Sequence, residues 1–475
     1  MFEQLCCQLD KFCIKTAKID FCMDKMESML LSLTVENFRP FAKETTLDMQ
    51  KPTFHTVRPR GDEKWVDVVE KRAAIFGPNA SGKSTILKPL GLLQKAICES
   101  LLSNTPGKAL FSPHKLHTTS STTYITEYVR NDVRYRWELK VDKEGVVFES
   151  VFANAVRTWR PIFERSRNDI VFHPASGIKK ATAENISQFL TPWSLTLSAW
   201  GRVKSKGSFF GAAEWWLDSL LPIIDQSRFD QEGRHGWITN MAAEHVEWLE
   251  LIAHVAAAAD VGINDVSVKE EQLPNDLEFF FSSEETRGSE IVVAKSHPDG
   301  EDFESYLRFL EFHHGNDGAS FALSEHDESL GTRAWIDHIL PAVYALAYGR
   351  LLVIDELDGS LHPILVRAFI GLFADEHLNT EGAQLIFTTH DSTLLGNHPD
   401  SALSASEVWF TEKKDTYSDF FALSEFPVRA QHNIEKRYFQ GVFGALPVAQ
   451  TSKIAEALSA LRKKLKSPVN EYAHG

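Results

Sequence analysis

An apolar strand end, Ala74-Ile75-Phe76, runs directly into Gly77-Pro78-Asn79-Ala80-Ser81-Gly82-Lys83-Ser84-Thr85 and on into the helix-forming Ile86-Leu87-Lys88. No other stretch constrains the fold as tightly. In this G-x-x-x-x-G-K-S spacing the glycine-bounded turn aims successive backbone N–H groups at phosphate oxygens. Lys83 reaches the β- and γ-phosphates of ATP, and the Ser84 hydroxyl suits Mg2+. The positive end of the following helix adds to the same anion site. The pattern predicts a strand–loop–helix unit in which residues 77–85 form the nucleotide cradle.

Two further apolar runs end in chemistry-bearing residues. Arg350-Leu351-Leu352-Val353-Ile354 reads as a buried parallel strand and delivers Asp355 and Glu356 side by side at its end. Two adjacent carboxylates at the end of a buried strand form the Walker B arrangement. Gln384-Leu385-Ile386-Phe387-Thr388-Thr389 reads as another strand and ends in His390-Asp391. Adjacent parallel strands present their C-terminal ends along one edge, which places His390 at the same ligand edge as the phosphate loop. Between them, Leu357-Asp358-Gly359-Ser360-Leu361-His362-Pro363 has the character of a loop that crosses a dimer interface. Upstream, Glu328-Ser329-Leu330-Gly331-Thr332 precedes a predicted helix from Arg333 to Ala347. Ser329 and Gly331 either face a γ-phosphate bound by a second subunit or form an ordinary helix N-cap. This set of motifs resembles that of ATP-binding-cassette (ABC) type ATPases, with ESLGT in place of the transporter signature, and the resemblance implies Asp355 in the metal shell, Glu356 polarising the attacking water and His390 contacting the γ-phosphate. No glutamine of the Q-loop type stands out. Gln94 lies on the helix after the phosphate loop and is expected to face elsewhere.

The 475 residues suffice for about three domains. A formal net charge of −15 argues against generic binding to nucleic acid or anionic membrane, which needs clustered Lys and Arg. Nucleic acid is therefore not indicated as a partner, although local basic patches leave it open. No apolar run approaches the roughly 20 residues of a membrane helix, and charged residues interrupt the N-terminus where a signal peptide would be apolar, so a cytoplasmic location is expected. Four of the five cysteines, Cys6, Cys7, Cys13 and Cys22, precede residue 25 without zinc-site spacing; the fifth is Cys98.

The chain divides into an N-terminal extension (1–25), an N-terminal lobe with the phosphate loop (26–180), a compact helical insertion (181–264) and a C-terminal lobe (265–475). Leu31–Phe41 alternates like an edge strand, with Thr45–Met49 as its hairpin partner. Runs at Thr123–Val129, Val133–Val141, Val146–Phe152 and Asp169–His173 predict a flanking antiparallel sheet. Strands resume at Val266–Val268, Leu277–Phe281, Ile291–Val293 and Tyr306–Phe312. The insertion is read as helical from Trp215, Trp216, Leu217, Leu220 and Leu221, then Val246, Trp248, Leu249, Leu251 and Ile252. The fold class is α/β, an ABC-type head with a parallel core sheet and an antiparallel subdomain.

Asn37-Phe38-Arg39-Pro40-Phe41, the phosphate loop, the ESLGT segment, Ile354–Pro363 and Thr388–Asp391 resemble ATPases related to the overcoming-lysogenization-defect proteins and chromosome-maintenance heads. Asn433–Pro447 is similar to the C-terminal motif of the AAA15 abortive-infection subgroup, and within it to the ATPase subunit of PARIS-type anti-phage systems. The resemblance implies ATP and Mg2+ as cofactors, with Lys83, Glu356 and His390 catalytic, and Ser84 and Asp355 on the metal. It implies a homodimer with composite sites completed in trans by Ser329 and Gly331, or a higher homo-oligomer. It further implies a separately encoded effector, a topoisomerase–primase-type nuclease, and a phage-encoded trigger. A DNA-repair ATPase working with a nuclease is the alternative. The 85 residues after His390 are too few for a fused nuclease domain, and a transporter subunit fits poorly with the insertion and the signature. Residues 453–466 predict an amphipathic helix with Ile454, Leu458, Leu461 and Leu465 on one face, docked on its own domain or reserved for a partner.

Overall fold

The computed structural model describes residues 27–223, 228–259, 262–272, 291–296, 303–316, 319–325, 327–396, 403–429, 432–446 and 451–466. The expected extension 1–25 and the strand expected at 277–281 lie outside these residues, as do His326 and Pro447.

The chain opens with the expected hairpin, β1 (Ser28–Glu36) against β2 (Thr45–Asp48). Then β3 (Arg72–Phe76) enters the phosphate loop, which leads into α1 (Lys83–Glu99). β4 (Thr122–Arg130), β5 (Val133–Asp142), β6 (Gly145–Asn154), β7 (Arg160–Ser166) and β8 (Asp169–Phe172) join the hairpin in a seven-stranded antiparallel sheet of order β2-β1-β4-β5-β6-β7-β8. On β5 the side chains alternate, with Tyr135, Trp137, Leu139 and Val141 buried. That is the pattern of a sheet with one face on a core.

The segment 181–264 supplies the expected helices: α2 (Lys180–Phe189), α3 (Thr196–Trp200), α4 (Gly211–Asp218), α5 (Arg228–Glu244) and α6 (Val246–Ala259). It also holds an element that the helical pattern concealed. Leu220 and Leu221 leave the helix at Ser219 and form β9 (Leu220–Ile223), the edge strand of the central sheet. Around this strand the helices divide between two cores, so the segment is less a separate insertion than a limb threaded through the head. Trp200, Trp215 and Trp216 of α3 and α4 pack beneath the antiparallel sheet, while Trp237 and Ile252 of α5 and α6 join the core on the opposite side. Tyr128 anchors α4, stacking on Trp215 at 4.7 Å and donating its hydroxyl to the Ala212 carbonyl at 2.7 Å. Each such large apolar side chain, fully buried, is worth about 1.5–3 kcal/mol.

A smaller sheet follows. β10 (Ile263–Gln272), β11 (Ile291–Ser296), β12 (Phe303–Asn316) and β13 (Ala319–Ser324) pair antiparallel around the long β12. α7 (Leu330–Tyr348) then leads into β14 (Leu351–Ile354), α8 (Pro363–Ala374) into β15 (Gln384–Thr388), and β16 (Val408–Lys414) turns back as β17 (Tyr417–Ala422). The chain continues through α9 (Ile434–Phe439) to α10 (Thr451–Lys466).

The central sheet has the order β17-β16-β3-β15-β14-β9 and is parallel except for β17. Its strands are short and buried on both faces, as parallel strands require. Ala73 and Ile75 of β3 and Leu351 and Val353 of β14 face the core shared with the antiparallel sheet. Ala74, Phe76, Leu352 and Ile354 face the second core with α7 and α8. The C-terminal ends of β3, β14 and β15 are thereby held rigidly along one edge. The architecture is that of an ABC-type P-loop head, as the motifs implied.

Candidate functional site

The phosphate loop is held in shape from behind by β16. Gly77 sits at φ +153°, and a Cβ there would lie 2.4 Å from Thr411 Oγ1 and 2.5 Å from the Thr411 carbonyl, so only glycine fits. The Ser81 hydroxyl hydrogen-bonds that of Thr411. Lys83 opens α1 and is buried; its ammonium donates to the carbonyls of Gly77 at 2.9 Å and Pro78 at 3.2 Å. Burial pulls the Lys83 ammonium below its ordinary value, while the charges of Asp355, Glu356 and Asp358 oppose the shift. Pro78 is half-buried, Asn79 and Ala80 are exposed at the loop's tip, and Ser84 and Thr85 follow Lys83 in the first turn of the helix.

Across the edge, β14 and β15 brace each other. The Thr388 hydroxyl donates to Asp355 Oδ1 at 2.5 Å and accepts from the Glu356 backbone N–H at 2.8 Å. Glu356 is held at φ +55°, a conformation a residue with a side chain adopts at a cost and one that marks switch and active sites. The chain turns sharply there, leaving Asp355 buried and Glu356 exposed. Asp358 on the next turn accepts the His390 backbone N–H at 3.1 and 3.2 Å, fixing the loop that carries the exposed His390 side chain. Asp391 caps the short turn beyond by accepting from the Thr393 N–H at 3.0 Å.

A cleft of about 660 Å³ runs between these loops, lined by Gly77, Pro78, Asn79, Thr389, His390 and, from the C-terminal motif, Tyr438. That motif is docked rigidly: Tyr438 stacks on Phe410 of β16 at 5.6 Å and donates its hydroxyl to the Ala445 carbonyl at 3.0 Å. The structure therefore gathers Lys83, Asp355, Glu356 and His390 at one edge. Ser329 is found as the N-cap of α7, accepting from the Thr332 N–H at 3.0 Å. Next to it, a Cβ on Gly331 would lie 3.4 Å from the Ser360 carbonyl, so the start of α7 rests on the loop that follows Glu356.

Gln94 faces away from the site, as expected. Its amide donates to the carbonyls of Trp216 and Leu220, both at 3.0 Å, clamping α4 and the start of β9 to α1. Sequence reasoning missed the bracing roles of Thr388, Asp358 and Thr411. Thr388 could have been flagged as the hydroxyl residue ending a strand beside a carboxylate pair; the others depend on contacts across the sheet. It also missed β9, whose parallel pairing with β14 directs its end to the ligand edge. Gln226 follows three residues later in the sequence, outside the described residues.

The chemistry of this donor set fits a nucleoside triphosphate with a divalent cation. A buried ammonium satisfied only by loop carbonyls, backbone N–H groups at a helix start and a buried carboxylate braced by a hydroxyl are what such a ligand requires. Among the described residues no group of three or more His, Cys, Asp or Glu forms a metal cluster of its own. No helix among them is long and apolar enough to cross a membrane.

Comparison with family models matches residues 72–396 to the family described as "AAA domain, putative AbiEii toxin, Type IV TA system". The match runs from β3 to just past His390, more than half of the chain. Comparison with curated proteins found no match. Among solved structures, the SMC head domain from Thermotoga maritima is 12% identical with a TM-score of 0.35, covering 83% of this chain and 98% of that one. The Smc head domain with an extended coiled coil bound to the C-terminal domain of ScpA, derived from Pyrococcus furiosus, is 13% identical with a TM-score of 0.34, covering 83% and 96%.

Proposed function

We propose, from the premise that the chain belongs to this AAA-domain family of P-loop ATPases, that it binds and hydrolyses ATP and uses the cycle to control a separately encoded toxic effector. The observation that carries the ATPase reading is the meeting of three parallel strand ends at one edge, which brings Asp355-Glu356 beside the phosphate loop and His390, the last two lining one cleft. On this reading Lys83 leaves its loop carbonyls for the β- and γ-phosphates, Glu356 takes the proton of the attacking water, and His390 contacts the γ-phosphate. Thr388 holds both carboxylates in register by bonding one side chain and the other's backbone. Mg2+, held by Ser84 and Asp355, would neutralise charge on the phosphates.

The finer reading is a sensor subunit of an anti-phage system of the PARIS type, releasing a nuclease effector when a phage-encoded trigger binds. The family's description, which names a toxin of a toxin–antitoxin system, supports a defence role over DNA repair. It also attaches the word toxin to the AAA-domain chain itself, which is the competing reading. Expression of this chain alone discriminates. It should leave cells viable and DNA and RNA uncut, and should become toxic only with the effector and trigger. Toxicity of the isolated chain would overturn the two-component reading.

Hydrolysis is proposed to need a head-to-tail homodimer in which Ser329 and Gly331 of one subunit face the nucleotide of the other. Leu330, 73% exposed at the start of α7, leaves that helix end open to a second copy. Mixing Ser329→Arg subunits with Lys83→Ala subunits should rebuild one intact site per mixed dimer and restore part of the activity. Confirmed mixed dimers with no activity would show that the site closes within one chain.

A further inference from the structure

Behind Glu356 lies a second cavity, of about 210 Å³, distinct from the cleft in front of the phosphate loop. It is lined by Ala334, Asp337 and His338 of α7, Arg234 of α5, and Glu356, Gly359 and Ser360 of the loop after β14. Gly331, Ala334 and His338 share one stripe of α7, at spacings of three and four residues. The stripe begins against the Ser360 carbonyl and ends at the cavity.

His338 is the anomaly. It is 4% exposed, and neither ring nitrogen has a hydrogen-bond partner among the described residues. Buried polar side chains are almost always paired with protein or ordered water, so a bare imidazole calls for an explanation. The cavity offers one. It is polar, and its volume accommodates several waters at about 30 Å³ of liquid each. Burial, together with the Arg234 charge, pushes the His338 ring down to about 4 against the opposing pull of Asp337. The ring is therefore neutral at working pH, with one N–H to donate and one lone pair to accept. Glu356 has the complementary need. Its backbone is fixed by Thr388 and by the Gly359 N–H, which donates to the Glu356 carbonyl at 2.8 Å. Among the described residues, however, no donor is recorded on its carboxylate.

We propose that His338 is a positioning residue for ATP hydrolysis: through ordered water in this cavity it hydrogen-bonds the rear of the Glu356 carboxylate and sets its angle toward the attacking water. This rests on the reading of Glu356 as the general base. Because the ring rides on α7, the same contact makes the carboxylate's orientation depend on where that helix sits relative to the loop.

The test is steady-state ATPase kinetics of His338→Leu, His338→Gln and Ala334→Leu in the full chain, with ATP affinity measured separately by a fluorescent analogue. His338→Leu should lower kcat by roughly 10- to 100-fold, since misplacing a reacting group by about an ångström costs on the order of a hundredfold. ATP affinity should stay within about twofold, and the melting temperature should hold or rise, since an unpaired buried ring is replaced by an apolar one. His338→Gln should recover most of kcat. Ala334→Leu fills the cavity while keeping the imidazole and should reproduce the loss, which decides the matter if His338→Leu does not fold. Unchanged kcat in either leucine variant, or a loss of ATP affinity parallel to kcat, would overturn the proposal. A wild-type chain without ATPase activity, or full activity in Glu356→Gln, would instead overturn the reading beneath it.

Discussion

The antiparallel sheet and the ligand edge of the parallel sheet treat charge in opposite ways. In the antiparallel region buried charges are met by opposite charge or by carbonyls. Arg165 and Glu149 are both fully buried and lie 3.9 Å apart. Arg165 also donates to the Ser194 carbonyl at 2.6 Å and the Thr191 carbonyl at 2.9 Å, while Glu149 accepts the Thr196 N–H at 2.7 Å. Arg130 reaches Asp218 at 2.5 Å, and Arg134 pairs with Glu127. At the ligand edge, Lys83 is satisfied by two carbonyls and no carboxylate, the Glu356 backbone is strained, and the side chains of Glu356 and His390 face outward. Charges paired so thoroughly in one region and left open in another make the open set the candidate for completion by a ligand. The difference separates residues that hold the fold from residues that act.

The largest expected effect breaks the satisfied side. Glu149→Ala strands Arg165 without its counter-charge and should cost about 3–5 kcal/mol of stability, read by denaturant unfolding, while the ATPase activity of the folded fraction persists. On the open side, Lys83→Ala should weaken ATP binding by about 2–5 kcal/mol, measured by calorimetry, with little change in melting temperature. If Lys83→Ala destabilised the fold and Glu149→Ala abolished binding, the contrast would fail.

Thr388→Val tests the seam between the two kinds of residue. Losing its hydroxyl removes one donor from Asp355 and the acceptor of the Glu356 N–H, so stability should fall by about 1–3 kcal/mol and kcat should fall with it. Gln94→Leu frees the Trp216 and Leu220 carbonyls and should cost about 1–3 kcal/mol as well, but with kcat per folded molecule unchanged. A selective loss of turnover in Gln94→Leu would return that glutamine to the site. The smallest effect is expected at α10, where Ile454, Leu458 and Leu461 are 69%, 44% and 53% exposed. The helix forms, yet its apolar stripe is open, against the simpler expectation that it docks on its own domain. Leu458→Ser should shift stability by no more than about 0.5 kcal/mol, whereas an effector that binds there would lose affinity in a pull-down.

The open charges were legible in the sequence because each sits in a local pattern: glycine spacing at Gly77 and Gly82, and apolar runs broken by Asp355-Glu356 or His390-Asp391. The strands of the seven-stranded sheet were legible in the sequence, apart from β7, whereas the antiparallel β13 and β17 were not. β9 was not, because Leu-Leu-Pro-Ile directly after a Trp-rich helix has no period of its own, and a short apolar run reads equally as buried helix or buried strand. Pro222 was the available clue, since proline within a strand belongs at a sheet edge, where β9 lies. The Thr388 brace, the Thr411 packing against Gly77 and the cavity behind Glu356 join residues far apart in the chain. No local pattern encodes them; only the strand order brings them together.

The most direct measurement compares ATP binding and steady-state turnover in the wild-type chain and Glu356→Gln. The account predicts ATP affinity within about threefold of wild type and turnover reduced by roughly 100-fold or more, the contribution expected of a positioned base. Turnover in Glu356→Gln equal to wild type would contradict it.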